Sequence, residues 1–350
     1  MPKLKNLDLE ISNPCNEHCI HCYRTCEHTK RGFLSIEEVK KIFDAIRFIR
    51  DEKINVLLTG GEALLNRDWR KIFVYSMEQN ARVSLFTNGT LMNDDDVRFL
   101  AKFKDNPLFK EVQISLYSLQ PEIHDAITGL KGSCEKSLKT INALKSAGIR
   151  VFVSSPVMKT NKATIPALMR YMDNAGIGNC ANLFIFENSD YKSRNIAHRL
   201  SVEDLEAFYA ETSKNNFELG YVWGFNRHRE HILESLFYEY AAMGLLISGD
   251  GNIFPMIGWY EKLGNISKDS IENIFLNNLL LKKCRQIKVG DFLECRECGD
   301  IGYCSFCPTS HLTANKGQLG KLNRDYCNYV HLIRQMAERR DAVKAEMNKG

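Results

Sequence analysis

From residue 5 to about 215 the chain alternates short β-rich runs with longer helical ones, and this alternation excludes most architectures at once. The β-rich runs are Lys5–Ile11, Ile54–Thr59, Arg82–Thr87, Glu111–Tyr117, Ile149–Ser155 and Asn182–Glu187. Between the first two, Ile36, Val39, Ile42, Phe43, Ile46 and Ile49 recur at a helical period behind Ser35, and Glu38 completes a capping box. Asn93 before Val97 and Leu100, Ser133 before Leu138, Ile141 and Leu144, and Ser201 before Leu205 and Phe208 repeat the arrangement. Gly148 and Gly176 stand where helices should stop. Successive βα units of this kind predict a parallel sheet, open or curved into a partial barrel, with its site at the carboxyl ends of the strands.

After about residue 236 the texture changes. Ser248-Gly249-Asp250-Gly251-Asn252 is a turn signal between the apolar runs Gly244–Ile247 and Ile253–Ile257, which reads as a β-hairpin. A cysteine-rich segment with little periodicity follows, as expected of a small domain held by metal rather than by a large core. His331 to Gly350 reads as a charged, solvated helix. The expected division is 1–235 for the barrel, 236–332 for the cysteine-rich domain and 333–350 for the tail.

Charge and hydropathy exclude several function classes. With 47 basic and 43 acidic residues the net charge is +4, too balanced for a nucleic-acid partner. No run approaches the ~18 apolar residues of a membrane span, and the start lacks the apolar core of a secretion signal. A cytoplasmic protein is expected, and there twelve cysteines imply metal ligation or catalysis rather than disulfides. They are unevenly spread: Cys15, Cys19, Cys22 and Cys26 lie early, Cys284, Cys295, Cys298, Cys304, Cys307 and Cys327 late. Cys134 and Cys180, between them, read as buried small hydrophobes.

Cys15-x3-Cys19-x2-Cys22 follows the first strand directly, in a loop that a barrel presents at its mouth. Three thiolates so placed can hold three irons of a [4Fe–4S] cluster and leave the fourth open for chemistry, unless Cys26 closes the site as a structural ligand. His18 and His21 read as spacers in that loop. The second strand ends in Gly60-Gly61-Glu62 at the same mouth, two residues without a Cβ to obstruct a ligand and a carboxylate suited to an ammonium group.

Together these motifs resemble the radical S-adenosylmethionine superfamily over roughly residues 5–215. The resemblance implies a partial (β/α)6 barrel in which Cys15, Cys19 and Cys22 carry the cluster and its open iron binds S-adenosylmethionine. It further implies Tyr23 near the adenine, Gly60, Gly61 and Glu62 at the methionine moiety and Ser115 at the ribose. One electron then cleaves the sulfonium bond to give a 5′-deoxyadenosyl radical, which abstracts hydrogen from an unactivated carbon. The stretch Ile114-Ser-Leu-Tyr-Ser, then His124-Asp125, Gly129 and Gly132-Ser133, is similar to that of the members carrying a SPASM domain, with Tyr117-Ser118 where Asp-Gly is usual. His124 and Asp125 read as starting and capping a helix rather than as catalytic groups.

Residues 240–330 resemble that SPASM domain, through Gly251 to Pro255, Leu263 to Ile266, Cys295-x2-Cys298-x5-Cys304-x2-Cys307 and Cys327. The resemblance places an auxiliary [4Fe–4S] cluster on Cys295, Cys298, Cys304 and Cys327. The competing reading is a zinc knuckle on Cys295, Cys298, Cys304 and Cys307. A full SPASM domain has a further auxiliary cluster, with cysteines where this chain has Ala241-Ala242-Met243-Gly244 and Pro255-Met256, so that site is expected to be lost. Cys307 and Cys284 are then left over and are candidate hydrogen-atom donors.

The expectation is therefore a radical enzyme acting on a ribosomally made peptide, with an oxidative crosslink favoured over epimerisation. Its alternatives are a radical enzyme on a small metabolite or porphyrin, and a non-catalytic iron–sulfur carrier. The Gly60-Gly61-Glu62 loop disfavours the carrier, which needs no methionine site. A one-electron reductant such as flavodoxin or ferredoxin is expected as partner. Because the barrel begins at residue 5, leader binding would need a separate protein or the surface between the domains.

Overall fold

In the computed structural model, which describes residues 1–24, 32–214, 229–304 and 307–347, the early β-rich runs form one parallel sheet. Its strands β1 (Leu4–Ser12), β2 (Arg50–Gly60), β3 (Arg82–Thr87), β4 (Phe109–Ser115), β5 (Val151–Pro156) and β6 (Gly178–Asn182) pair in chain order. The connections carry α1 (Ile36–Ile46), α2 (Trp69–Glu78), α3 (Asp94–Ala101), α4 (Pro121–Thr128), α5 (Ser133–Ser146) and α6 (Ile165–Asn174). This is a partial (β/α)6 barrel.

Side-chain alternation sorts the two faces of the sheet. Leu7 and Leu9 of β1 register with Val56 and Leu58 of β2, then Val83 and Leu85 of β3, and all are buried in the main core with Ile11 of β1 and Val39, Ile42 and Phe43 of α1. The intervening residues line the interior: Asp8 and Glu10, Thr59, Phe86, Gln113 and Ser115, Ser154, Asn182. Both sequence-read caps of the first half are present, with reciprocal bonds between Ser35 and Glu38 and between Asn93 and Asp96. Gly148 and Gly176 take φ of +76° and +63° just past the ends of α5 and α6.

Three local expectations need correction. The sixth strand is Gly178–Asn182 rather than Asn182–Glu187, because its ladder with β5 ends at the pair Pro156↔Asn182. Residues 183–188 leave the sheet and bring Phe184, Ile185 and Phe186 to the barrel mouth. Ser133 is the first residue of α5, not its cap; Gly132 holds that place at φ +79°, and the cap acceptor is Asp125 of α4. Asp125 takes the Ser133 hydroxyl at 2.9 Å and the Cys134 N–H at 3.0 Å. Finally, the C-terminal helix begins at Arg324 rather than His331.

The chain continues through α7 (Val202–Lys214), α8 (Arg229–Glu234) and α9 (Glu239–Met243) into the hairpin β7 (Gly244–Ile247) and β8 (Asn252–Phe254), with β9 (Gly264–Asn265) beyond. The hairpin is not separate from the barrel. Strand β7 pairs in parallel with β1, so one sheet runs β6-β5-β4-β3-β2-β1-β7-β8-β9. Then come α10 (Ile271–Asn277), α11 (Leu279–Cys284), α12 (Leu293–Glu297), α13 (Pro308–Ala314) and α14 (Arg324–Met347). A second core gathers Phe237, Tyr238, Ala241, Ala242, Met256, Trp259, Cys284 and Leu312. Among the described residues no helix is long and apolar enough to cross a membrane.

Asp8 faces the barrel interior, 1% exposed, with Tyr240 Oη donating to Oδ1 at 2.8 Å and no hydrogen-bond partner for Oδ2 among the described residues. Burial raises its pKa from 3.8 to about 7, against the Tyr240 hydrogen bond, and the Glu10 carboxylate adds to the rise. A folded pKa above the unfolded one means that its contribution to stability is complete below about pH 4 and is lost as pH rises through about 7. Asp8→Asn should therefore flatten the fall of the urea midpoint between pH 5 and pH 8, on the order of 1.36 kcal/mol per pKa unit of the shift at most. Equal slopes for variant and wild type would refute the assignment.

Candidate active site and metal centres

The cysteine loop is shaped by backbone contacts on several sides. As β1 ends, Gly61 N–H donates to Ser12 O at 2.7 Å and Glu62 N–H to Pro14 O at 2.9 Å. A Cβ on Gly60 would lie 2.0 Å from Ser12 O, and one on Gly61 2.3 Å from Pro14 O. The two glycines thus admit the cysteine loop itself, besides leaving the cavity wall at Gly60 and Gly61 without a Cβ. From the other side, His18 and Ile20 donate N–H bonds to Thr128 O (2.7 Å) and Ile127 O (3.0 Å), the last carbonyls of α4. Asn188 Nδ2 donates to Cys22 O at 2.9 Å, and Ser189 N–H to Tyr23 O at 2.7 Å.

These contacts turn the loop into the wall of a cavity of about 430 Å³ at the carboxyl ends of the strands. Cys15, Cys19, Cys22, Tyr23, Gly60, Gly61 and Ser115, all anticipated, line it together. Cys26 lies outside the described residues. Glu62 is absent from the wall. It is 1% exposed, and its carboxylate accepts from Leu64 N–H (2.9 Å), Thr87 Oγ1 (2.7 Å) and Asn88 N–H (2.7 Å). Since Thr87 and Asn88 do line the cavity, Glu62 shapes the wall from behind.

Sequence reasoning missed several wall residues. Glu17, inside the cysteine loop, is 3% exposed and accepts from Cys19 Sγ at 3.4 Å; burial pushes its carboxyl up to about 7. Tyr117 lies between two imidazoles, stacked on His124 at 5.2 Å and edge-on to His21 at 4.8 Å, with its hydroxyl 3.9 Å from Cys19 Sγ. His124 Nδ1 accepts the Tyr117 N–H at 3.1 Å, so His124 and Asp125 support this corner from within α4 rather than starting the helix. Gln113 and Ser154 also line it, and the signal that could have found them is their alternation with the buried residues of β4 and β5. Phe184 and Phe186 were hidden by the misplaced sixth strand. Ile257, Gly258 and Thr309 close the cavity from the C-terminal region, which no sequence signal announced.

The donor set suits a metal centre. Burial pushes the Cys19 thiol well up, and Glu17 and Cys15 beside it add to the rise. Thiols grouped in this way ionise only against strong positive charge, which iron supplies.

A second cavity, about 210 Å³, lies in the C-terminal region and is lined by Cys295, Cys298, Cys304 and Cys327. Burial raises Cys295 to about 12, with Cys327 and Cys298 contributing. Cys307 is not in this wall. A zinc knuckle would use Cys307 together with Cys295, Cys298 and Cys304, so the lining favours the set that includes Cys327 instead. Where a further cluster would need cysteines, Ala241, Ala242 and Met256 are buried in the second core. Cys284 is 0% exposed in that same core, and Cys307 immediately precedes α13 without capping it through its side chain; neither lines either cavity.

Gly61→Ala should therefore disrupt the cysteine loop, because its Cβ meets backbone that cannot rotate away; overpacking of this kind costs about 1–3 kcal/mol or more. The checks are a lowered denaturation midpoint and faster amide exchange across residues 15–22. Gly299→Ala, which meets nothing within 4 Å, is the control. Equal behaviour of the two variants would show that the close approach is dispensable.

Comparison with known proteins agrees with this arrangement. Residues 9–172 match the Radical SAM superfamily model. The chain is 28% identical over 322 residues to the antilisterial bacteriocin subtilosin biosynthesis protein AlbA of Bacillus subtilis, covering 88% of this chain and 68% of that protein. It is 26% identical over 302 residues to the sporulation killing factor maturation protein SkfB of the same organism, covering 84% and 68%. In fold it resembles native anSMEcpe with bound AdoMet and a Cp18Cys peptide (TM-score 0.68, 19% identity, 98% and 99% covered). It also resembles SuiB of Streptococcus suis bound to S-adenosylmethionine (TM-score 0.66, 16% identity, 89% and 74% covered). A partial barrel is thus followed by a small cysteine-rich region of SPASM type. Residues 9–172 are a radical SAM domain, and the chain is a radical SAM enzyme related to AlbA and SkfB.

Proposed function

We propose that the enzyme modifies a ribosomally made peptide, and that the modification is an oxidative crosslink. The peptide substrate follows from the likeness to AlbA and SkfB, which extends through the C-terminal region and not only the barrel. In this reading Cys15, Cys19 and Cys22 hold a [4Fe–4S] cluster at the main cavity, and Cys295, Cys298, Cys304 and Cys327 hold one auxiliary [4Fe–4S] cluster. Bound at the main cavity, the cluster and S-adenosylmethionine supply a 5′-deoxyadenosyl radical that takes one hydrogen atom from the peptide.

The chain's own part is to bind, orient and keep competing donors away. The backbone of Gly60 and Gly61, with Thr87 and Asn88 held by Glu62, forms the methionine end of the site. Tyr23, which meets Phe186 edge-on at 6.1 Å, forms the adenine side, and Ser115 the ribose side. A one-electron reductant of the flavodoxin or ferredoxin kind and a separate leader-binding protein complete the reading. The work takes place in the cytoplasm.

One observation favours crosslinking over epimerisation. An epimerase needs a hydrogen-atom donor beside the substrate, whereas a crosslink loses two hydrogens and needs an electron acceptor. Among the described residues, no cysteine besides Cys15, Cys19 and Cys22 lines the main cavity. Cys284 lies inside the second core and Cys307 outside the cavity wall, so among the described residues neither left-over cysteine stands beside the substrate. The auxiliary cavity offers a place for the acceptor.

Two experiments test this. Reconstituted without oxygen, the protein should carry about eight irons, and Cys15, Cys19 and Cys22 changed together to Ala should remove about half of them and all S-adenosylmethionine cleavage. About twelve irons would overturn the single auxiliary cluster, and bound zinc in place of a second cluster would restore the knuckle. In heavy water, with candidate precursor peptides, the product should be lighter by two hydrogens and carry no solvent deuterium. A product that gains one deuterium, abolished by Cys307→Ala with iron content intact, would establish epimerisation instead.

A further inference from the structure

Of the polar residues that line the second cavity beside the four cysteines, His311 is the one that is almost fully buried, and neither the cysteine pattern nor the comparisons assign it. His311 lies on α13, 2% exposed, and forms part of the wall with the four cysteines. Its ring is held between Phe237 (5.1 Å between centroids) and Tyr326 (5.4 Å, edge-on). Nδ1 accepts the backbone N–H of Asn323 at 2.8 Å. A backbone donor at Nδ1 fixes the tautomer, since that nitrogen must present a lone pair and the ring proton must sit on Nε2. Nε2 has no hydrogen-bond partner among the described residues. With the side chain 2% exposed and part of the cavity wall, the cavity is the space among the described residues that this N–H can reach.

Asn323 is itself fixed. Its side-chain Nδ2 donates to Ser310 O at 3.1 Å, and its Oδ1 accepts from Asp325 N–H at 3.0 Å at the start of α14. The bond from Asn323 to His311 therefore ties α13 to the first turn of the helix that carries Cys327. A buried donor held so firmly is preorganised, and hydrogen bonds to cluster sulfurs are among the factors that set reduction potential.

We infer that His311 donates a hydrogen bond from Nε2 to the cluster held by Cys295, Cys298, Cys304 and Cys327 and raises its reduction potential. The inference rests on the auxiliary-cluster reading of that cavity. His311 is a positioning and tuning residue in this assignment, not an iron ligand. Its neighbour two places back on α13, Thr309, lines the main cavity, so one short helix contributes to both walls.

The test is a potentiometric titration, followed by electron paramagnetic resonance, of the full-length protein reconstituted without oxygen. His311→Asn retains an acceptor near the Nδ1 position for the Asn323 N–H but places no donor in the cavity. His311→Gln carries an amide N–H at the reach of Nε2. His311→Asn should make one of two clusters about tenfold harder to reduce, which is about 59 mV for one electron, and leave the other unchanged. His311→Gln should fall between variant and wild type. Protein labelled with ¹⁵N-histidine should show nitrogen coupling to that cluster in pulsed resonance, absent in His311→Asn. About eight irons with unshifted potentials and no coupling would overturn the hydrogen bond alone. Loss of one cluster on His311→Asn would overturn it in favour of His311 as a ligand. About four irons in the wild type would instead overturn the reading of the cavity, and the inference with it.

Discussion

The close approach of two backbones, Ser12 to Pro14 against Gly60 and Gly61, is the constraint on which the site depends. Chain segments this near have no room for a Cβ between them, so the cysteine loop is laid directly on the end of β2. Once there, its N–H groups at His18 and Ile20 meet the free carbonyls at the end of α4, and its carbonyls at Cys22 and Tyr23 meet donors after β6. Each of these bonds gives a backbone group of the loop, which has no helix or strand ladder of its own, a fixed partner. The thiols of Cys15, Cys19 and Cys22 need no mutual bonding to share one cavity wall, because the main chain already holds them there.

Support of the same kind explains residues that a motif alone would cast as contacts. Glu62 organises Thr87 and Asn88; Asp125 caps α5; His124 accepts from the Tyr117 backbone. All three are tied into local hydrogen bonds; Glu62 and His124 act through neighbours that line the cavity, Thr87 and Asn88 for the one and Tyr117 for the other, while Asp125 fixes the start of α5. A motif reports which residues occur together. Only the geometry separates those that touch the cavity from those that hold its wall.

Much of this was legible beforehand, and the rest was not for identifiable reasons. Strand order and the anchoring caps follow from local period and capping chemistry, which depend on residues close in sequence. The three early cysteines, Tyr23, the glycines and Ser115 share one cavity because strand ends in a parallel sheet must converge. The sixth strand was misplaced by four residues because Leu183 to Phe186 is apolar enough to pass for a strand, while the true strand, Gly-Asn-Cys-Ala-Asn, has almost no β signal and is set by pairing with β5. His311 was invisible because its significance comes from a backbone N–H twelve residues later in the chain. Likewise, nothing in Gly244–Ile247 announces that its partner is β1 rather than only its own hairpin mate.

That pairing bears on how the chain avoids aggregation. In a partial barrel the sheet does not close, and β1 would present a row of unpaired backbone groups along a strand with Leu7, Leu9 and Ile11 on one face. Strand β7 covers Asn6 to Leu9 of that edge, and β8 and β9 carry the sheet on to a short, turn-rich margin. The strand that covers this edge is thus synthesised more than two hundred residues after it. During synthesis the barrel remains open-edged until the cysteine-rich region emerges, so a product truncated before residue 244 would expose a sticky edge rather than a smaller stable enzyme.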